Sequence, residues 1–215
     1  MLRLKSPGYE RLLQSQRFEA TFGGGEANVA VSLANYGLDA AFVTVLPDNP
    51  LTDACLRELR SFGVDTGLVV RAAGRLGVYY LEGGAVQRPS KVIYDREGSA
   101  IALAGPGAID WNQVFDGASW FHITGITPAI SQSAADLSRE AVRIAKERGL
   151  TVSCDLNHRK NLWTYGKTAR EVMPDIVRYT DVVVANEEDC QLSLGLHADS
   201  LDNVEAGALD AGHYE

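Results

Sequence analysis

Cysteine is scarce in this sequence, with Cys55, Cys154 and Cys190 the only three among 215 residues. They are far apart and form no Cys-x-x-Cys pair, which argues against a disulfide framework and a zinc site and favours a reducing, cytoplasmic location. No apolar run approaches the roughly 20 residues of a membrane span. The charged amino end has no signal-peptide apolar block, so we expect no membrane attachment.

Positive charge is also in short supply. The chain has 28 acidic and 20 basic residues and a formal net charge of −8. Nucleic acids and anionic membranes are bound by basic faces, so neither is an expected partner. An anionic ligand would need a few locally placed arginines.

Short charge-free runs alternate with helical periodicity from Ala40 onward. The predicted strands are Ala40–Leu46, Trp120–Thr124, Thr151–Asp155 and Asp181–Ala185, and the predicted helices cover about residues 50–62, 131–148 and 167–178. This alternation predicts an α/β fold with a mostly parallel sheet covered by helices on both faces. We expect Asn49 to cap the first of these helices, with Leu51, Cys55, Leu59 and Phe62 inward.

Residues 68–95 have no helical period. They contain three β-type runs, "LVV", "GVYYLE" and "SKVIYD", separated by glycine and proline. This pattern predicts a small antiparallel lid that projects from the main sheet.

The stretch "FGGGEANVAVSLANYG", Phe22 to Gly37, places three glycines before a helix whose predicted inward residues are Val29, Leu33 and Tyr36. It is not a Walker A loop, and it lacks the third glycine of a dinucleotide fingerprint. Glu26 would repel a phosphate. The loop therefore suits a polyhydroxylated ligand, because glycines have no Cβ atoms and let a ligand come close to the backbone. The alternative is that the glycines only allow the helix to pack tightly.

Polar residues follow the predicted parallel strands, where open α/β sheets bind ligands. Gly125 follows one strand, Asp155, Asn157 and Arg159 follow the next, and "NEED" from Asn186 to Asp189 follows the third. Such a set could bind a polyanion and a metal ion. The alternative is that the loops at this edge are simply polar.

Four segments together resemble the PfkB (ribokinase-like) carbohydrate kinase family: "GGGEANVAVSLANYG", "LRELRSFGVDT", "DLNHRKNLW" and "VVVANEED". The runs "RLGVYYLE", "RPSKVIYDREGSAIA" and "DLNHRKNLW" are similar to those of its 2-keto-3-deoxygluconate kinases. The resemblance implies a three-layer α/β/α sandwich with a β-lid. It implies one partial domain over 1–215, with lid strands mainly from about 68–96.

The resemblance also implies roles for individual residues. The substrate would be bound by Gly24, Gly25, Asn28, Tyr79, Tyr94, Arg96 and Arg159. Asn157, Arg159 and Asn186 would contact ATP, with Arg159 stabilising the transferred phosphate. Asp189, which stands where the family's NxxE motif has Glu, would position Mg²⁺ through water. The alternatives are that Tyr79 and Tyr94 pack across strands and that Arg96 is a solvated turn charge.

The family's catalytic base is the Asp of a GAGD motif, and this sequence contains only "GALD", Gly207 to Asp210. No apolar strand precedes GALD, so it does not match. We therefore expect an incomplete fold and no kinase activity from the 215 residues alone. "MLRL" resembles the middle of the family's first strand. An incomplete sheet should expose an apolar edge, so a homo-oligomer could form through the lid or that edge.

The resemblance favours ATP- and Mg²⁺-dependent phosphorylation of 2-keto-3-deoxygluconate to its 6-phosphate, with Arg96 and Arg159 holding one small acid above the glycines. A fructokinase- or ribokinase-like enzyme would take a neutral sugar and leave a desolvated arginine without a partner. A non-catalytic sugar-acid-binding protein is a third alternative. A dinucleotide-dependent oxidoreductase is disfavoured by the incomplete glycine fingerprint.

Overall fold

The computed structural model describes residues 1–197, so the GALD sequence at 207–210 lies outside the described residues. The chain forms two compact units, Met1–Ala104 and a second that begins at Gly105. Each unit is described by itself below.

The first unit contains a four-stranded sheet with the strand order β2-β1-β5-β6, which we call the first sheet. Strand β1 pairs parallel with β5, and the other two pairings are antiparallel. A two-stranded parallel sheet, β3-β4, lies in the same unit. The elements in chain order are β1 (Leu2–Lys5), β2 (Glu19–Phe22), α1 (Gly25–Asn35), β3 (Val45–Leu46), α2 (Pro50–Ser61), β4 (Val70–Arg71), β5 (Val78–Glu82), β6 (Lys91–Asp95) and α3 (Ala100–Leu103).

The described part of the second unit contains a parallel sheet with the order β7-β8-β9. Helices α5 and α6 bury long apolar faces, and Val152 and Cys154 of β8 are fully buried. Its elements are α4 (Trp111–Val114), β7 (Trp120–Thr124), α5 (Gln132–Glu147), β8 (Thr151–Asp155), α6 (Ala169–Val177), β9 (Val182–Val184) and α7 (Glu187–Leu194). The three strands predicted here from apolar runs are therefore confirmed.

Local sequence signals set the helix ends. The Asn49 side chain accepts the N–H of Thr52 at 3.0 Å and caps α2, as predicted. The Ser131 hydroxyl accepts the N–H of Ala134 at 3.0 Å and caps α5. Gly63 and Gly149 follow these two helices with φ of +85° and +80°, a conformation that glycine adopts without strain.

The predicted inward faces of two helices were wrong in part. Helix α2 buries Thr52, Cys55, Leu56 and Leu59, whereas Leu51 and Phe62 are exposed. Helix α1 buries Ala30 and packs Ala27, Val31 and Ala34 on the core, whereas Leu33 and Tyr36 are exposed. In α1 the inward alanines are smaller than Leu33 and Tyr36, and small side chains permit a closer approach to the core.

The predicted lid also needs correction. Two of its three runs form the antiparallel pair β5-β6, but "LVV" contributes to β4, which pairs in parallel with β3. The remaining two strands of the first sheet, β1 and β2, come from the amino end. The strand predicted at Ala40–Leu46 shortens to Val45–Leu46 plus an isolated bridge at Ala41.

None of the helices within residues 1–197 combines the length and apolar character needed to cross a bilayer.

Candidate functional site

One face of the first sheet carries a row of polar and aromatic side chains. Thr21, Arg3, Tyr79 and Tyr94 are direct neighbours in register across β2, β1, β5 and β6. In-register residues point to the same side of a sheet, so all four side chains share one face. The rings of Tyr79 and Tyr94 lie 6.2 Å apart between centroids. We call this set the tyrosine row.

Two residues further along the strands, the next row on the same face includes Gly23 and Gly77. Gly23 pairs with Met1, and Leu2 donates its N–H to the Gly77 carbonyl. A Cβ added to Gly23 would lie 3.2 Å from the Tyr79 hydroxyl, and one added to Gly77 would lie 3.7 Å from Arg96 Nε. The absence of side chains at Gly23 and Gly77 therefore leaves room for Tyr79 and Arg96.

The Arg96 side chain is partly buried, and two of its nitrogen atoms make no hydrogen bond within the described residues. Its Nε and Nη1 atoms are buried and have no hydrogen-bond partner within the described residues. Burial lowers the pKa of Arg96, and the charges of Glu26 and Tyr94 oppose this shift. Buried guanidinium donors normally have partners, so this site fits an anionic group that would supply acceptors.

Glu26, the acidic residue of the glycine segment, lies near Arg96. Glu26 lies in the first turn of α1 and is close enough to raise the pKa of Arg96. It therefore supports a nearby cation, and a phosphate at this position would meet its negative charge.

The three glycine-segment residues predicted to bind substrate lie at the start of α1. Gly24 directly precedes the helix, and a Cβ added there would meet nothing closer than the Ala27 Cβ at 3.9 Å. Gly25 is the first helical residue, and the exposed Asn28 donates its N–H to the Gly24 carbonyl at 2.8 Å. Packing explains the glycine at position 23, whereas a Cβ at Gly24 would make only an ordinary van der Waals contact.

In the second unit, the turn after β7 lies against the turn after β8. Gly125 donates its N–H to the Asp155 carbonyl at 2.8 Å. A Cβ on Gly125 would lie 2.1 Å from the Leu156 carbonyl oxygen, a distance no side chain tolerates. This glycine therefore permits the close approach of the two turns at the carboxyl edge of the sheet.

Two carboxylates and a strained asparagine lie at this edge. Burial and the charge of Asp189 raise the pKa of Asp155, while a hydrogen bond from the backbone N–H of Asn157 lowers it. Asn157 has a φ of +39°, which is uncommon outside glycine. Such strain tends to occur at functional sites, where surrounding structure maintains it.

Asp189 ties two loops together. Its Oδ1 accepts the backbone N–H of His158 at 2.9 Å, and its own N–H is donated to Asn186 Oδ1 at 2.7 Å. Burial lowers the pKa of His158, while Asp189 and Glu188 oppose the shift. The Asn186 side chain thus caps α7. Asp189 and Asn186 organise the edge at which Asn157 lies.

Arg159 is exposed, and its Nη1 donates to the His158 carbonyl at 2.9 Å. It lies near Asp155, whose pKa its charge lowers. The described residues contain no cluster of three or more His, Cys, Asp or Glu able to hold a metal ion. Arg96 and Arg159 belong to different units, so a joint contact of both with one acid stays a prediction.

The predicted residues thus form two groups, one in each unit. Gly24, Gly25, Tyr79, Tyr94 and Arg96 lie around one end of the first sheet, with Asn28 one turn into α1. Asn157, Arg159, Asn186 and Asp189 lie at the carboxyl edge of β7-β8-β9. The sequence analysis missed Arg3, whose neighbourhood depends on a pairing between β1 and β5 that no local pattern reveals.

The chain is similar in sequence to known proteins. Residues 1–214 match the pfkB family carbohydrate kinase sequence pattern. The chain is 37% identical to the 2-dehydro-3-deoxygalactonokinase of Haloferax volcanii over 200 residues, covering 93% of this chain and 62% of that protein. It is 32% identical to the 2-dehydro-3-deoxygluconokinase of Thermoproteus tenax over 182 residues, covering 83% and 54%.

A solved structure is also similar. The crystal structure of 2-dehydro-3-deoxygluconokinase from Thermotoga maritima superposes with a TM-score of 0.88 at 50% identity, covering 96% of this chain and 63% of that one. The predicted ribokinase-like α/β fold is therefore confirmed. This chain spans between about half and two thirds of the length of these three proteins.

Proposed function

Because the chain belongs to the pfkB family of carbohydrate kinases, we propose that it supplies the sugar-acid-binding part of an ATP-dependent kinase. The substrate we assign is 2-keto-3-deoxygluconate, also called 2-dehydro-3-deoxygluconate, and the product is its 6-phosphate. The names of the similar proteins support this substrate class. Sugar-acid catabolism in the cytoplasm is the setting that we propose.

The observation that carries the proposal is that Nε and Nη1 of Arg96 are buried and have no hydrogen-bond partner among residues 1–197. A carboxylate can accept two parallel hydrogen bonds from one guanidinium, and such charge-assisted bonds are about twice as strong as neutral ones. Tyr79 and Tyr94 would provide ring surface and hydroxyls beside the acid. The missing side chain at Gly24 would let the sugar hydroxyls approach the backbone.

A neutral-sugar kinase is the second candidate. A neutral sugar would leave the Arg96 donors with hydroxyls alone, which compensate a desolvated cation less well than a carboxylate does. The local positive charge of Arg96, in a chain of net charge −8, thus favours the acid.

For the second unit, we propose that Asn157, Arg159 and Asn186 contact the phosphates of ATP and that Asp189 positions Mg²⁺ through water. Mg²⁺ usually keeps several waters and needs only one or two carboxylates, so the absence of a larger acidic cluster among the described residues is compatible with it. When bound, ATP and Mg²⁺ would supply the phosphoryl group and neutralise its charge.

The residues of this chain would orient and neutralise those groups. Arg159 is exposed and carries a planar fork of donors suited to phosphate oxygens. Asn186 already uses its Oδ1 as a helix cap, which leaves its NH₂ group as the donor. The base of the GAGD motif is not in this sequence, so the proposal for these 215 residues concerns binding and not turnover.

We also propose that copies of this chain associate with each other. Among the described residues, β9 is at one end of its sheet, and its three valines are 40–55% exposed. An apolar edge strand pairs readily with another chain.

The test of the substrate proposal is calorimetric titration of the chain with 2-keto-3-deoxygluconate and, separately, with fructose. We expect the acid to bind more tightly than fructose, and Arg96→Gln to weaken acid binding about 10- to 100-fold because it removes a charged donor. The matched control is Arg57→Gln, which removes an exposed arginine on α2. Equal affinity for both sugars, or acid binding that survives Arg96→Gln, would favour the neutral-sugar alternative.

A further inference from the structure

Arg3 lies in the tyrosine row but takes no part in the function assigned so far. It is the β1 member of the row, paired with Thr21 on one side and Tyr79 on the other. Its side chain therefore stands on the face that carries both tyrosines. No pattern in the sequence singles it out.

The Arg3 guanidinium is held by one hydrogen bond, and its other donors make none within the described residues. Its Nε donates to Thr21 Oγ1 at 2.7 Å, the only hydrogen bond or ion pair that the described residues make with this side chain. Both Nη groups are thus available, and the residue is only half-buried. Because Nε is held by Thr21, the two Nη groups can donate hydrogen bonds to an acceptor on a ligand.

The position of Arg3 relative to Arg96 follows from the register. Arg96 is two residues beyond Tyr94, in phase with the row, and one strand, β5, lies between its strand and that of Arg3. Strand spacing and rise per residue place their Cα atoms about 10 Å apart across the sheet and about 7 Å apart along it. Tyr79 lies between them. Two arginine side chains on one face, at opposite corners around a tyrosine, can both reach a six-carbon acid.

A solvated surface charge is the competing interpretation of Arg3. Lys5 illustrates that case, since it lies two residues further along β1 on the same face, with only a 3.9 Å ion pair to Glu19. Arg3 differs because its hydrogen bond to Thr21 holds it beside Tyr79. Thr21 itself is two residues before Gly23. The location of Arg3 at the end of the face nearest the glycines distinguishes it from Lys5.

We propose that Arg3 is a further substrate-binding residue that favours acids over neutral sugars. The inference rests on the proposed function, since it takes the same sugar acid as the ligand. Nη1 and Nη2 of Arg3 donate to oxygens of the acid bound over Tyr79, and the cation adds to the favourable field of Arg96. Thr21 acts as a positioning residue by holding the Arg3 Nε.

The experiment is calorimetric titration of the full chain and its variants with 2-keto-3-deoxygluconate and with fructose. Arg3→Gln is expected to weaken acid binding about tenfold or more, as loss of a charged hydrogen bond does. The ratio of acid to fructose affinity should fall as well, which a purely structural role would not produce. Arg3→Lys keeps the charge without the fork, and we expect an intermediate loss.

Two further variants separate orientation and general charge from direct binding. Thr21→Val removes the acceptor for Nε while keeping Arg3, and it should also weaken acid binding. Lys5→Gln removes a cation from the same strand and face, and it should change acid binding less than about twofold, as expected for an exposed ion pair. Melting curves of each variant show whether it is folded.

The outcomes are distinguishable. If the acid binds and Arg96→Gln weakens it while Arg3→Gln does not, the assignment of Arg3 is wrong and the proposed function stands. Equal losses of acid affinity in Arg3→Gln and Lys5→Gln would show that Arg3 acts only through its general charge, which would also overturn the assignment. If the unaltered chain binds no sugar acid, the proposed function itself fails, and this inference fails with it.

Discussion

Asp155 is a residue whose ionisation is unfavourable to the fold. Burial and the neighbouring carboxylate of Asp189 raise its pKa above the ordinary value of 3.8. The folded state therefore binds this proton more tightly than the unfolded chain does, and stability falls as pH rises from 3.8 through the raised pKa. A carboxylate that costs stability at neutral pH is a candidate functional group.

We predict that Asp155→Asn is more stable than the unaltered chain at neutral pH. Asn keeps an oxygen that can accept the Asn157 N–H and removes the charge that Asp189 repels. The stability gap should close as pH falls below the ordinary aspartate value, because both side chains are then neutral. Urea unfolding followed across pH measures this gap.

The control is Asp116→Asn, which neutralises an exposed aspartate in the same unit. An Asp155→Asn chain that is less stable than the unaltered one at pH 7 would show that the ionised carboxylate contributes to the fold, against the prediction.

At the same scale, residues of one continuous segment could be grouped from the sequence, whereas their neighbours on distant strands could not. Tyr79, Tyr94 and Arg96 could be named because they follow one another in a single hairpin region. Arg3 could not, because its place beside Tyr79 depends on a parallel pairing across 76 positions of chain. The buried state of the Arg96 donors likewise depends on Gly77 and on tertiary packing.

Among the elements, β9 combines features that favour association. It pairs only with β8 among the described strands, and Val182, Val183 and Val184 are exposed. Valine has a high β propensity, and this run carries no charge to discourage another strand. We predict that the chain self-associates through this edge.

Val182→Lys should reduce that association, since a charge on an edge strand opposes pairing with another chain. Sedimentation across a concentration series is the measurement, with a rise in average mass expected for the unaltered chain. The control, Leu103→Lys, places the same charge on an exposed residue at the end of α3. A monomer at all concentrations, or equal effects of the two variants, would rule out β9 as the contact.

Element types and caps were predictable because they follow from short-range signals. Asn49 and Ser131 cap α2 and α5 through local hydrogen bonds, and Gly63 and Gly149 end the same two helices. The inward face of α1 was not predictable, because Ala30 and Leu33 are both apolar and packing selects between them. The partner of β4 was wrong for a related reason, because strand pairing is decided by contacts distant in sequence.

At the scale of the whole molecule, two arginines of an acidic chain lie on the same face of one sheet. The net charge is −8, yet Arg3 and Arg96 share one face of the first sheet. The resemblance to carbohydrate kinases could be recognised from sequence because its motifs lie in continuous segments. The division into two compact units could not, because no linker or change in composition marks residue 104.

The central claim is that a sugar acid binds at the glycine end of the first sheet. Hydrogen–deuterium exchange of the chain with and without saturating 2-keto-3-deoxygluconate tests it most directly, because bound ligand slows local opening. We predict slower exchange in peptides that cover residues 22–28, 78–82 and 91–96, and unchanged exchange in α2. Unchanged exchange in all three segments, or protection confined to the unit that begins at Gly105, would contradict the account.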